Sequence, residues 1–311
     1  MEGFMDLPSD EVLRRIVTTF AHLRAAHGEA IGVPPLVQPT ADYFPDEFRP
    51  DAPSIVRLLR RMIDHSPLAD GVGIALAFLA QDEGPGGGGC GSSACGTGGR
   101  AGEPRDVNVR ELDDGYQVFV STADVAQPDV LTTSLARSVG ALVLHEAGEA
   151  VGAEESEIAA VVCGFGVLLA NGASVWAKGC GGLRMAQATV LTVEEVTVAL
   201  ALFAAIHDCR PSQVRKHLGT TQRDAFDVAQ DWVDSNPLLI ESLRDRPEVL
   251  ASGTFDLEPI RGVFGQWLHK RGLERALRVP PKDRATTLTE ERRRRVEEVS
   301  ALFDEVGREG E

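Results

Sequence analysis

The chain has 311 residues, enough for one large or two modest domains with a substantial buried core. Hydrophobic residues make up 43% and charged residues 25%, ordinary globular values that exclude fibrous and collagenous architectures and wholesale disorder. Lys and Arg number 31 against 47 Asp and Glu, a formal charge of −16 that opposes any electrostatic grip on nucleic acid or an anionic membrane. The opening MEGFMDLPSD is acidic and has no apolar run behind a basic start, so no secretory signal is read and the cytoplasm is the expected compartment. Five cysteines are an odd count for a disulfide framework and leave the thiols to packing, metal or redox chemistry.

In chain order, residues 9–27 space Val12, Ile16, Phe20 and Leu23 as one helix face behind a Ser9 N-cap, with Gly28 as the stop. The Pro-rich linker that follows is expected to run extended over the surface, and Asp51 with Pro53 opens a second short helix. Residues 71–80, GVGIALAFLA, read as a buried strand, with a short helix as the competing assignment. The Gly-rich stretch 84–102 is costly to order and reads as a mobile loop. Val107, Val109, Tyr116, Val118 and Val120 alternate on either side of Asp114-Gly115, the pattern of a hairpin.

From Asp129 to about Gly152 the pattern is helical, and a second apolar helix runs from about Glu155 to Asn171, so the two are expected to pack antiparallel. Gly164, Gly166 and Gly172 would give the second a small-residue face. Charges at Arg137, His145, Glu146, Glu149 and Glu157 interrupt any membrane-spanning run, which excludes a membrane hairpin. A capping box at Thr192 and Glu195 opens a helix that Pro211 ends; further helices are expected over 221–234 and 256–276, and an amphipathic one near the C-terminus. The expected fold class is α+β and predominantly helical: an N-terminal helical extension (1–70), a core holding the small sheet and the helix pair (71–240), and a C-terminal helical segment (241–311).

Residues 145–149, HEAGE, are one letter from the H-E-x-x-H of zinc hydrolases. In that motif two ligands four apart on a helix share a face and hold one metal, while the intervening Glu accepts a proton from metal-bound water. Here His145 and Glu149 would be the ligands and Glu146 the base. Glu157, just beyond the turn, is the chosen third ligand, with Glu154 and Glu155 in reserve. One imidazole and two carboxylates are a harder donor set than two imidazoles, which shifts preference among divalent metals from zinc towards manganese or iron. The alternative is a relic that binds nothing. Convergence of His145, Glu149 and Glu157 would favour the metal; pairing of Glu149 with an arginine such as Arg137 or Arg184 would favour the relic.

On these residues, with YQVFVS before the helix and ESEIAAVVCGFGVLLANGA and LTVEEVTVALALFA after it, the chain resembles, over about 116–218, a group of uncharacterised bacterial proteins. Their helix reads H-E-L-x-H and the next holds T-D-L, then G-x-G and A-N. The segment is also similar to the zincin active-site helix of zinc metallopeptidases, including the HEAG-His version of membrane-associated ATP-dependent peptidases. The resemblance implies a zincin-like fold, with His145 as first ligand, Glu146 as base and Glu157 at the acidic T-D-L position. The departure is Glu149, where the family has His.

Two functions follow as expectations: a metal-dependent, peptidase-like hydrolase, and a catalytically inactive zincin-like scaffold that binds a protein or peptide partner. Cys90 and Cys95 in the Gly-rich loop could form a redox or metal-binding pair, read more simply as free thiols, which Cys180 could join. Cys163 and Cys209 fit the core, and His207 and His217 fit helix-end partners better than distant ligands. The Gly-rich stretch has neither the Lys-Ser/Thr ending of a phosphate loop nor a dinucleotide fingerprint, and no nucleophile elbow is present.

Overall fold

The computed structural model describes residues 6–68, 72–79, 108–179 and 182–260. Ser9 caps α1 (Asp10–Ile31) by accepting from the Val12 amide, and the helix continues through Gly28 to stop at Gly32. The continuation reflects packing: Leu13, Ile16, Val17, Phe20 and Leu23 are buried in the main core, and that burial outweighs one helix-weakening glycine. Asp51 caps α2 (Ala52–Asp64) through the Ser54 amide. The sheet orders its strands β1 (Ile74–Leu79), β3 (Gly115–Ser121), β2 (Val109–Leu112). The hairpin of β2 and β3 closes with Leu112 opposite Gly115, and β1 runs parallel to β3 with Ile74 opposite Tyr116. Contrary to the buried reading, β1 is only half covered, with Phe78 and Leu79 exposed; β3 is the buried strand, through Tyr116, Val118 and Val120.

After the single turn α3 (Thr122–Val125) comes α4 (Pro128–Glu146), buried at nearly every position from Val130 to Leu144, so that no amphipathic period remains to read. The expected partner helix is two: α5 (Ala153–Ala160) and α6 (Gly166–Ala173), joined by a wide π-type turn, Val161–Phe165. Gly164 has φ +96° at this break, a conformation open to glycine, and a Cβ there would overlap the Pro35 carbonyl oxygen. Its own carbonyl accepts from the Val37 amide at 3.0 Å, so the linker expected to run over the surface is tied into the break, with Val37 buried. Of the other two glycines, Gly172 abuts Thr133 of α4 whereas Gly166 faces Leu200.

The hairpin β4 (Val175–Gly179) and β5 (Gly182–Ala186) was not expected. Thr192 and Glu195 close the capping box of α7 (Val193–Ile206), as read from the sequence. Then follow α8 (Pro211–Arg215), α9 (Thr220–Ser235), α10 (Pro237–Asp245) and α11 (Pro247–Ala251), and residues 256–260 are not helical.

One hydrophobic core collects residues from α1, α2, β3 and α4–α11, so neither the described part of 1–70 nor 241–260 stands apart. The described part of residues 1–260 is one compact unit; residues 261–311, where the amphipathic C-terminal helix was expected, lie outside the described residues, as do the Gly-rich stretch and Cys90, Cys95 and Cys180. Contrary to the expectation that charges interrupt every spanning run, residues 153–173 are long and apolar enough to cross a membrane, yet 94% of their most apolar 18-residue window is buried inside the fold.

Candidate functional site

The HEAGE segment does not lie on one helix. α4 ends at Glu146, Ala147 caps it, and Gly148 takes φ +69°, the left-handed conformation that reverses the chain. The Gly148 amide donates to the His145 carbonyl at 3.0 Å and the Glu149 amide to the Leu144 carbonyl at 2.9 Å, the paired bonds of a Schellman motif. Glu149 therefore sits past the helix end, and the shared i, i+4 face with His145 does not form. The glycine in the motif is the physical reason.

Each residue assigned to the metal has another partner. The Tyr116 hydroxyl donates to Glu146 at 2.7 Å, and that bond, with burial, pushes the phenol up to about 12. The Tyr116 ring lies 5.5 Å from that of His145. Glu149 Oε1 lies 3.2 Å from His27 Nε2 and 3.4 Å from His22 Nε2, both on α1. Burial works to raise the Glu149 pKa, but the two histidine hydrogen bonds hold it below the usual value. Glu157 is fully buried and its oxygens accept the Val190 amide at 2.7 Å and the Leu191 amide at 2.9 Å. Arg137 Nη1 stands 3.6 Å from it. Burial nevertheless dominates and lifts the Glu157 carboxyl to about 7. Of the reserves, Glu154 pairs with Arg15 of α1, and Glu155 is exposed in the first turn of α5.

The donors chosen from the sequence are thus not brought together: among the described residues no group of three or more His, Cys, Asp or Glu side chains is placed to hold a metal ion. Glu157 fits such a role poorly, because turning towards a metal would strip two buried amides of their acceptor. The arginine that separates the metal and relic readings does appear, but Arg137 stands beside Glu157, while Glu149 meets histidines. His22, His27 and Tyr116 carried no local signal in the sequence, since each reaches the turn from a distant element.

A different feature has the form of a ligand site. The turn at Thr40–Phe44, α2 and the start of α4 enclose a cleft of about 420 Å³, lined by Phe44, Phe48, Leu58, Pro128 and Leu131 among others. Asp46 and Glu47 stand at its charged side, and Arg61 there is tied to Asp46 at 2.9 Å, a bond that holds the Asp46 carboxyl below the usual range. The apolar spacing that would announce such a cleft is split between a Pro-rich linker and two helices.

No protein-family model, curated protein or solved structure matches the chain. Its own fold defines it as an α+β, mostly helical protein with a small mixed sheet of three strands.

Proposed function

We propose that this chain is a non-catalytic binding protein, in which the HEAGE turn and Glu157 serve the fold and the cleft beside Phe44 and Leu131 takes a small ligand with an apolar body. The cleft carries this reading: about 420 Å³ falls within the roughly 300–1,000 Å³ of small-molecule sites, and its walls are chiefly apolar. Of the lining charges Arg61 balances Asp46, which leaves Glu47, paired only with exposed Arg49 at 3.5 Å among the described residues, to disfavour an anionic head, so the ligand has a neutral or cationic one. The zincin resemblance then describes descent of a scaffold, with the hydrolytic chemistry gone. Support for that part is the set of structural partners held by Glu146, Glu149 and Glu157. The cytoplasm remains the proposed compartment.

Fluorescence titration with neutral N-phenyl-1-naphthylamine tests the cleft, followed by displacement with decylammonium or decanoate. Saturable binding is expected, lost in Leu131→Trp and displaced better by the amine. Binding that survives Leu131→Trp overturns the assignment. In parallel, metal content is measured on protein purified without chelator. Stoichiometric metal that disappears in both His145→Ala and Glu149→Ala would instead establish the metal-dependent reading.

A further inference from the structure

The end of α7 collects positive charge without a full set of partners. His207 caps the helix with its ring 4.6 Å from that of Phe203. Arg24 of α1 places Nη1 3.3 Å from His207 Nε2. Burial pushes the imidazole down to about 4, and the charges of Arg24 and Arg244 add to the effect. The ring is therefore neutral at pH 7; Nε2 accepts from Arg24 and Nδ1 carries the hydrogen. From α10, Arg244 donates to the Ala205 carbonyl at 2.6 Å and to Asp208 at 2.8 Å. Asp208 itself has φ +53°, the one non-glycine residue at positive φ among the described residues. Such a residue costs on the order of 1 kcal/mol where glycine would cost none, a strain that concentrates at functional positions.

Arg24 differs from Arg244. It has no carboxylate within ion-pair distance and no helix-end carbonyl among the described residues, although acids outnumber bases 47 to 31 in the chain. Its Nε is buried without a hydrogen-bond partner, and burial together with Arg244 depresses its pKa. A buried unpaired donor on a cation calls for an acceptor. Two guanidinium charges face one exposed aspartate and the helix end, which carries about half a negative charge, so a net positive charge of about one half remains. Simple capping of α7 accounts for Arg244 but leaves Arg24 without a role.

We propose that Arg24, His207 and Arg244 form a binding site for a small oxyanion, the carboxylate or phosphate group of a ligand, with Arg24 as its principal contact. The site is separate from the apolar cleft and does not depend on it.

The test uses the full chain at pH 7, with nitrogen NMR of the Arg24 and His207 side chains. Inorganic phosphate and acetate are titrated in separate arms, with sodium chloride holding the ionic strength constant. A saturable shift of both residues is expected in at least one arm, with half-saturation on the order of millimolar, and Arg24→Gln should raise that midpoint at least about tenfold. Saturation by phosphate alone identifies a phosphoryl group, and saturation by acetate a carboxylate. No saturable shift in either arm overturns the proposal on the wild-type protein alone. An unchanged midpoint in Arg24→Gln overturns it too; Arg24→Lys, which keeps the charge, should retain partial binding if the Gln variant fails to fold.

Discussion

The ends of α4 and α7 use the same backbone device for opposite purposes. Each helix stops at a left-handed residue, Gly148 in one and Asp208 in the other, and the next amide reaches back to a carbonyl of the last turn, Glu149 to Leu144 and Cys209 to Ala204. At α4 the sequence looks catalytic, and the geometry is that of an ordinary stop: glycine fills the left-handed position and the acids find tyrosine, histidine and amide partners. At α7 the sequence looks unremarkable, and the geometry is strained and carries unbalanced charge. A motif defined by side-chain identity is only as good as the backbone beneath it. A five-letter helix motif with glycine at its fourth position places its last residue off the helix when that glycine turns left-handed.

The largest predicted effect sets the two regions against each other through pH. Glu157, buried beside α4, has its folded pKa raised from 4.5 to about 7. Its contribution to stability is full below 4.5 and is lost as pH rises through about 7, a change on the order of 3 kcal/mol. His207, at the end of α7, has its folded pKa lowered from 6.5 to about 4. Its contribution is full above 6.5 and is lost as pH falls towards 4, a smaller change because the ring is partly exposed. Urea unfolding at pH 5 and pH 8 measures both. Relative to wild type, Glu157→Gln should gain stability between the two pH values and His207→Gln should lose it. Identical pH profiles for the three proteins would break the contrast.

Next in size is the exchange of the left-handed residues. Gly148→Ala, which meets no neighbouring atom but adopts φ +69°, should destabilise by about 1 kcal/mol. Asp208→Gly relieves the strain and sacrifices a largely exposed ion pair with Arg244, so it should stabilise by a few tenths to about 1 kcal/mol. Thermal midpoints of both variants decide the matter. Loss of stability in Asp208→Gly would mean that the Arg244 contact outweighs the strain.

Much of the frame was legible because its signals are local. Ser9, Asp51 and the Thr192/Glu195 box each act within one turn, and the alternation around Gly115 is complete within one hairpin. The break at Gly164 was not legible, because its cause is the Pro35 and Val37 backbone more than a hundred residues away in the chain. The stretch from about Glu155 to Asn171 therefore reads as one helix. The site was harder still. His145, Glu146, Glu149 and Glu157 are close in sequence, yet their partners Tyr116, His22, His27 and Leu191 come from other elements, and no spacing rule reaches across such distances.

The smallest effect concerns the contact that Glu149 makes with α1. Glu149 joins the turn after α4 to α1 through His22 and His27, and its side chain and that of His22 are substantially exposed, so solvent screens the attraction. Because the folded Glu149 pKa is lowered, its contribution is present above the unfolded value and disappears as pH falls through the folded one. Glu149→Gln should therefore cost less than about 1 kcal/mol at pH 6, and the cost should shrink further in molar salt. Glu149→His, which completes an H-E-x-x-H pattern, removes the carboxylate and sets a third imidazole beside two, so it should destabilise at least as much as the glutamine and bring no stoichiometric zinc. If Glu149→His does bind one zinc per chain, the turn after α4 lies close enough to a metal geometry for a single substitution to complete it, and the two helix ends differ by less than their side chains suggest.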